Sequence, residues 1–318
     1  MKILITTNSF KKPENHEGQA LIEAFADEIV YKEVARPLLP EELIELLDGV
    51  DGCIAGVDHF TREVIEAAPD SLKVISRFGV GVDRVDLEAA KERGIVVTNT
   101  PEANATAVAE YAFGTMIVLA RHMVFLCNDV HAGGWNNKDG IELMGRTLGI
   151  IGLGAIGKRL ASRAKGFEMR VIAYDPYADE AYASAHDIDL VSLDTLLERS
   201  NFISIHTPLT EETYHLIDRA AIAKMPQDAI LINTARGGIV DEEAVAEAIK
   251  SGKLYGAAFD AFAEEPPKAS PLFGLGNVIL SPHTGAHTTA ANANMGWMAA
   301  RNCVAILSGQ PSKYVVNP

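Results

Sequence analysis

The chain is poor in cysteine, in positive charge and in long apolar runs, and each shortage rules something out. Its three cysteines, Cys53, Cys127 and Cys303, are scattered through 318 residues. They offer neither a disulfide framework nor metal-ligand spacing, so no metal is expected, and a reducing, cytoplasmic setting is. Lysine and arginine number 28 against 43 aspartates and glutamates, a net charge of −15. Such a field repels nucleic acid and anionic membrane surfaces, and neither is expected as a partner. A small anion would need a local cluster of arginines. The longest apolar run, Tyr111 to Ala120, stops at Arg121 and His122. It has about half the length of a membrane span and reads as a buried helix. The opening MKILITTNSF reads as a first strand rather than a signal peptide.

What is present is a long alternation. KILIT, GCIAG, LKVIS and GIVVTN are strand patterns in the first third, with helical periodicity in EELIELLDGV and REVIEAA. A second series follows in TLGIIGLG, MRVIAYD, NFISIH, AILINTA, YGAAFD and VILSPH, separated by helical segments such as AIGKRLASRAKG and DEEAVAEAIKSG. Strands alternating with helices predict α/β architecture with parallel sheets covered on both faces. At 48% hydrophobic residues the chain carries apolar material for two cores. A boundary is expected near residue 100, where TNTP ends a strand and Pro101 opens a helical pattern reaching Asn128. A final helix from about Thr288 to Leu307 would return to the first domain.

The sharpest local motif is TLGIIGLGAIGKRLASRAKGFEMRVIAYD. Gly152, Gly154 and Gly157 form GxGxxG directly after an apolar strand and at the start of a helix. Such glycines allow a tight turn, close approach of a pyrophosphate and close helix–strand packing, with the phosphates at the helix N-terminus. Asp175 closes the next strand, 18 residues after Gly157. A carboxylate there accepts the ribose hydroxyls and repels a 2′-phosphate, which predicts NAD rather than NADP.

Several strands of the second series end in polar residues: His206, Thr234, Arg236, Asp260 and His283. Ligand crevices of open parallel sheets lie at the carboxyl ends of strands, so these side chains are expected around the cofactor. Spacing alone does not distinguish His206 from His283 as an acid–base group.

The segments NTARGGIVDEEAV, AAFDAFAEEPP and SPHTGAHT resemble the three signature segments of the D-isomer-specific 2-hydroxyacid dehydrogenases. The similarity runs from about residue 50 to 290 and includes FGVGVDRVDLEAAKERGIVVTNTP, VAEYAFG, ELMGRTLGIIGLGAIG and HTPLTEET. The resemblance implies a Rossmann nucleotide-binding domain, residues 101–286, inserted into a flavodoxin-like substrate-binding domain, residues 1–100 with 287–318. It implies an active site in the cleft between them. The helix from Pro101 would bridge the domains and form much of a homodimer interface, which would account for its apolar run.

By the same resemblance, Arg236 binds the substrate carboxylate, and Glu265 pairs with His283, the acid–base residue. A planar guanidinium binds a carboxylate bidentately, and a carboxylate beside an imidazole holds its tautomer. Ala155 and Ile156 lie over the pyrophosphate, His206, Thr207 and Pro208 line the adenosine side, and Thr234, Ala235, Asp260 and Gly285 lie at the nicotinamide. Val80 and Gly81 in SRFGVGVD are implied to share the carboxylate through a nest of backbone N–H groups. Arg77 matches an arginine of phosphoglycerate dehydrogenases, where it would meet a substrate phosphate. The expected substrate is a small anionic 2-hydroxy or 2-oxo acid, 3-phosphoglycerate and 3-phosphohydroxypyruvate first, with glyoxylate, hydroxypyruvate or another short 2-oxo acid as the alternative. A more distant alternative is an NAD-sensing binding protein, since transcriptional corepressors resemble this family too.

Overall fold

The computed structural model describes all of residues 1–318, and the chain divides into two compact units. One comprises Met1–Asn104 and His287–Pro318, the other Ala105–Ala286.

The first unit holds a five-stranded parallel sheet of β1 (Lys2–Ile5), β2 (Glu28–Tyr31), β3 (Gly52–Ala55), β4 (Val74–Arg77) and β5 (Val96–Thr98), in the order β2-β1-β3-β4-β5. This is the flavodoxin-like order, whose switch point falls between β1 and β3. There Gly56 N–H donates to Thr6 Oγ1 at 3.0 Å. The helix Thr289–Leu307 belongs to this unit, with Thr288 as its N-cap accepting from Ala291 N–H. It packs on His16–Phe25, where Gly18 and Gly296 meet so closely that a Cβ on Gly18 would lie 2.9 Å from the Gly296 carbonyl oxygen.

The second unit carries seven parallel strands: β6 (Thr147–Ile151), β7 (Arg170–Tyr174), β8 (Asp189–Leu190), β9 (Phe202–Ile205), β10 (Ala229–Asn233), β11 (Leu254–Phe259) and β12 (Val278–Leu280). Their order, β12-β11-β10-β9-β6-β7-β8, is the doubly wound nucleotide-binding arrangement with one added strand. Alternation within each strand divides the core between the two faces. Leu148, Ile150, Phe202, Ile230, Ile232 and Ala258 pack on one side. Ile151, Ile203, Ile205, Leu231, Ala257 and Phe259 pack on the other.

All ten strands expected from the sequence form. Two more appear, β2 and β8. EIVY is a run of only three apolar residues between Glu28 and Lys32 and is partly buried, and DL is two exposed residues. The helical pattern expected from Pro101 begins later. Pro101–Asn104 is a turn, with Glu102 at φ 66°, and the helix spans Ala105–Ala120. It stops at His122, which adopts a left-handed φ of 51°, and a second helix, Met123–His131, leaves at 64°. The His122 ring is fixed at that break, with Nδ1 3.1 Å from Asn277 Oδ1 and Nε2 2.5 Å from the Tyr255 hydroxyl. The apolar run lies in a buried helix, as expected. Ala112, Phe113, Met116, Leu119 and Ala120 are buried within the unit, against the sheet and the helix Ala155–Lys165. No single helix is long and apolar enough to cross a membrane.

One buried ion pair stiffens the carboxyl end of the first sheet. Lys32, directly after β2, places Nζ 3.0 Å from Asp58 Oδ1 in the loop after β3, and Leu38 N–H donates to the same oxygen at 2.7 Å. Both side chains are almost fully buried. Removing one partner strands the other charge away from water. Lys32→Met is therefore expected to lower unfolding stability by about 3–5 kcal/mol, read from the denaturant midpoint. The double variant Lys32→Met/Asp58→Leu should recover part of that loss.

Candidate functional site

In the second unit the seven strands end at one edge, and the expected site residues follow those ends. Gly152 follows β6 and His206 follows β9, the pair that flanks the switch point. They touch through the backbone: His206 N–H donates to Ile151 O at 2.7 Å, and a Cβ on Gly152 would lie 2.6 Å from the His206 carbonyl oxygen. Gly152 also has φ +95°, a conformation that L side chains rarely adopt. Gly157 is confined in another way, since its Cβ would come within 2.3 Å of Gly152 O. Gly154, by contrast, faces open space. It caps the helix Ala155–Lys165 without any side-chain cap bond, so the first-turn N–H groups of Ala155, Ile156 and Gly157 are left to an outside acceptor.

Asp175 stands one residue beyond β7, held by two backbone donors. Leu153 N–H reaches Oδ2 and Tyr177 N–H reaches Oδ1, each at 2.8 Å. These bonds link the glycine turn to the carboxylate and aim its remaining lone pairs. A cavity of about 270 Å³ opens beside it, lined by Asp175, Pro176, Ala178, Glu180, Val191 and Ser192 among others. At the ends of β9 and β10, His206 Nδ1 and Thr234 Oγ1 are buried without hydrogen-bond partners. Burial lowers the His206 pKa to about 3, so its ring is neutral, with Nε2 2.9 Å from Ser204 Oγ. Buried orphans are uncommon in folded chains and mark places that a ligand can satisfy. Thr207 and Pro208 follow His206, and Thr213 Oγ1 donates to Pro208 O at 2.7 Å. Open space at Gly154, an uncapped helix start, an oriented carboxylate and orphaned atoms at strand ends all fit a dinucleotide.

Beyond β10 the chain makes the turn that carries Arg236. Asn233, fully buried, spans it: Nδ2 donates to Arg236 O at 2.8 Å and Oδ1 accepts from Ala235 N–H at 3.1 Å. Gly237 then lies so close to Phe262 and Ala263 that a Cβ would overlap their backbone. The arginine turn therefore abuts the loop that carries Glu265. Glu242 ties that loop down, accepting from Ala263 N–H at 3.1 Å and Ser270 Oγ at 2.9 Å.

Glu265 and His283 meet, although 18 residues separate them. Nδ1 of His283 lies 2.9 Å from Oε1 and 3.1 Å from Oε2, and Oε1 also accepts from Phe262 N–H at 3.2 Å. A carboxylate can only accept here, so Nδ1 carries the proton and Nε2 is the nitrogen presented for exchange. The glutamate is mostly covered, whereas the imidazole is 43% exposed. His283 holds a left-handed φ of 53° and its N–H donates back to Ser281 O at 3.0 Å. Asp260, directly after β11 and buried, builds the same loop. Its oxygens accept from Ser281 Oγ at 2.6 Å, Thr284 N–H at 2.8 Å and Gly285 N–H at 2.7 Å.

In the first unit, Arg77, Val80 and Gly81 sit together at the end of β4. Arg77 is buried, with Nε donating to Gly81 O and Nη1 to Ala55 O, each at 3.0 Å. Val80 is exposed. The sequence reading missed Asn233, Glu242 and Ser281. Asparagine at a strand end two residues before a turn residue is the pattern of an Asx turn, so Asn233 had a readable signal. Glu242 and Ser281 act across 21 residues or more and had none.

Three comparisons bear on this arrangement. Residues 113–285 match the family model described as D-isomer specific 2-hydroxyacid dehydrogenase, NAD binding domain. The chain is 43% identical over its whole length to D-3-phosphoglycerate dehydrogenase of Methanocaldococcus jannaschii, of which it spans 59%. It is 40% identical to glyoxylate reductase of Thermococcus litoralis, with 96% of this chain and 94% of that one covered. Among solved structures, apo D-lactate dehydrogenase from Escherichia coli superposes with a TM-score of 0.84 at 30% identity, covering 99% of this chain and all of that one.

Asp175→Ala removes a charged acceptor from the candidate ribose position. It is expected to weaken NADH binding by about ten- to a hundredfold and to narrow the preference over NADPH. Fluorescence titration with both nucleotides checks this; equal NADH affinity would remove Asp175 from the site.

Proposed function

Since the chain belongs to the D-isomer-specific 2-hydroxyacid dehydrogenase family, we propose that it interconverts a short D-2-hydroxy acid and its 2-oxo acid, with NAD as cofactor. The observation that carries this reading is the His283–Glu265 pair, in which the carboxylate engages Nδ1 and leaves Nε2 for exchange.

NAD, when bound, accepts or supplies the hydride at C2. Gly152, Gly154, Ala155, Ile156 and Gly157 would hold its pyrophosphate and Asp175 its ribose. His206, Thr207 and Pro208 would face the adenosine side, and Thr234, Ala235, Asp260 and Gly285 the nicotinamide end. Arg236 takes the substrate carboxylate through its planar fork, and the N–H groups of Val80 and Gly81 share it. In reduction, the ketone oxygen gains negative charge as hydride arrives at C2, and Nε2–H of His283 gives it a proton. In oxidation, neutral Nε2 removes the hydroxyl proton as hydride leaves. Glu265 stabilises the imidazolium in either direction and fixes the ring's orientation. Asp260 serves this step by shaping the loop from Ser281 to Gly285 that presents His283.

The finer identity of the acid turns on Arg77. With Nε and Nη1 donating to backbone carbonyls beneath the turn, it reads as a brace, which favours an unphosphorylated acid such as hydroxypyruvate or glyoxylate. The 43% identity to a phosphoglycerate dehydrogenase supports 3-phosphohydroxypyruvate as the second reading. Oxidation of NADH at 340 nm, against 3-phosphohydroxypyruvate, hydroxypyruvate, glyoxylate and pyruvate, separates the two. His283→Ala is expected to cut turnover by about 10²–10⁴-fold on whichever acid reacts, with NADH affinity kept. Absence of turnover on every acid, together with NADH-responsive capture of a protein partner, would favour a cofactor sensor instead.

We also propose a homodimer, through the arm Met123–Trp135 rather than the buried run that precedes it. Its helix buries no residue, and Met123, Val124, Phe125, Val130 and Trp135 are exposed, Trp135 at 91%. So many large apolar groups on one short arm suit a self-complementary interface. Phe125→Glu with Trp135→Glu should halve the mass found by sedimentation; an unchanged mass would exclude this arm.

A further inference from the structure

We propose that Asn99 is a positioning residue for the substrate carboxylate, acting through the backbone nest at Gly79–Gly81. The inference deepens the dehydrogenase reading above and rests on it.

Three successive carbonyls of this turn are pinned from within the first unit. Gly79 O accepts from Thr100 N–H at 3.0 Å, Val80 O from Asn99 Nδ2 at 2.8 Å, and Gly81 O from Arg77 Nε at 3.0 Å. In a planar trans peptide the N–H points opposite the C=O to which it is joined. Drawing in the Gly79 and Val80 carbonyls therefore turns the Val80 and Gly81 N–H groups the other way, side by side. Gly79 makes this turn at φ +151°, where a side chain would be strained. The nest is thus built from behind, and the Asn99 amide sets the orientation of its last peptide. Donation into the Val80 carbonyl also polarises that peptide, which strengthens the Gly81 N–H as a donor.

Asn99 is itself fixed at both ends of its backbone. Its N–H donates to Tyr314 O at 3.2 Å, and its carbonyl accepts from Asn302 Nδ2 at 3.1 Å. Asn302 is buried on the helix Thr289–Leu307, and its Oδ1 accepts from Ser312 Oγ at 3.0 Å. The segment onward from Ser312 continues along β5: Thr98 and Val315 form an antiparallel bridge, Val316 N–H donates to Val97 O at 2.9 Å, and Val97 N–H donates to Asn317 Oδ1 at 2.7 Å. With its backbone held this way, the Asn99 side chain has one local acceptor to serve, the Val80 carbonyl.

The test compares Asn99→Asp, which keeps the shape but exchanges the donor for a charged acceptor, and Asn99→Leu, which loses the donor without adding charge and should change in the same direction, with Asn99→Gln, which keeps a donor. Steady-state kinetics are measured on whichever 2-oxo acid the wild-type chain reduces. Binding of oxalate to the NADH-loaded enzyme serves as a readout free of turnover. Asn99→Asp should raise KM and the oxalate Kd by about tenfold, with kcat within about twofold and NADH affinity and Tm unchanged. Asn99→Gln should recover part of the loss. If wild type turns over and Asn99→Asp leaves both KM and oxalate affinity unchanged, the role of Asn99 is overturned and the dehydrogenase reading stands. A wild-type chain that reduces no 2-oxo acid overturns both.

Discussion

Every strand in each sheet runs in the same direction, and that constraint organises the polar chemistry of both units. A parallel strand cannot pass directly to its neighbour; the chain must cross back over a face before it can pair again. Each strand then ends at the same edge, with a loop whose only obligation is to begin the next crossover. In the second unit, the glycine turn after β6, the histidine after β9, the arginine turn after β10, Asp260 after β11 and His283 after β12 are all such loops. Their side chains are neighbours because their strands are, however far apart they lie in the sequence.

Proximity of loops does not by itself make a site, and much of the second unit's polar structure goes into holding these loops still. Asn233 spans the arginine turn, Glu242 anchors the next loop at two points, and Asp260 gathers three donors from the stretch that bears His283. Close backbone contact does the rest. Gly237 allows the arginine turn to lie against Phe262, and the Phe262 N–H in turn orients Glu265. The imidazole is therefore the outer end of a chain of fixed contacts. Its left-handed backbone is tolerated because the loop around it is over-determined.

Much of this is legible in the amino-acid sequence. The GxGxxG turn and the strand-end aspartate follow from local geometry, since a tight turn and a helix start are requirements of adjacent residues. Strand existence was equally readable at ten strands, the partly buried β12 among them, and was missed at β2, three apolar residues between charged neighbours, and at β8, two exposed residues. The pairing of Glu265 with His283 was not readable from spacing at all. Neighbouring acids are ordinarily solvated, and only likeness to a known family raised Glu265 above Glu264. The apolar run before Arg121 shows the opposite limit: hydrophobicity says that a helix is covered and not by what.

Arg77 carries that limit furthest. An arginine beside a glycine turn reads equally well as a ligand for an anion or as a support for the loop, because both roles ask for a planar cluster of donors. Burial and the identity of the acceptors favour the second. Here the guanidinium lies under the turn and donates to Gly81 O and Ala55 O. The Gly81 carbonyl belongs to the Gly81–Val82 peptide, so the arginine closes the turn without itself turning the Val80 and Gly81 N–H groups. A donor that draws in the Val80 carbonyl, as Asn99 does at the neighbouring peptide, turns the Gly81 N–H the other way and favours anion binding without touching the anion. In a chain with net charge −15, attraction at a distance is weak, and capture of an anionic substrate depends on donors already aligned before it arrives.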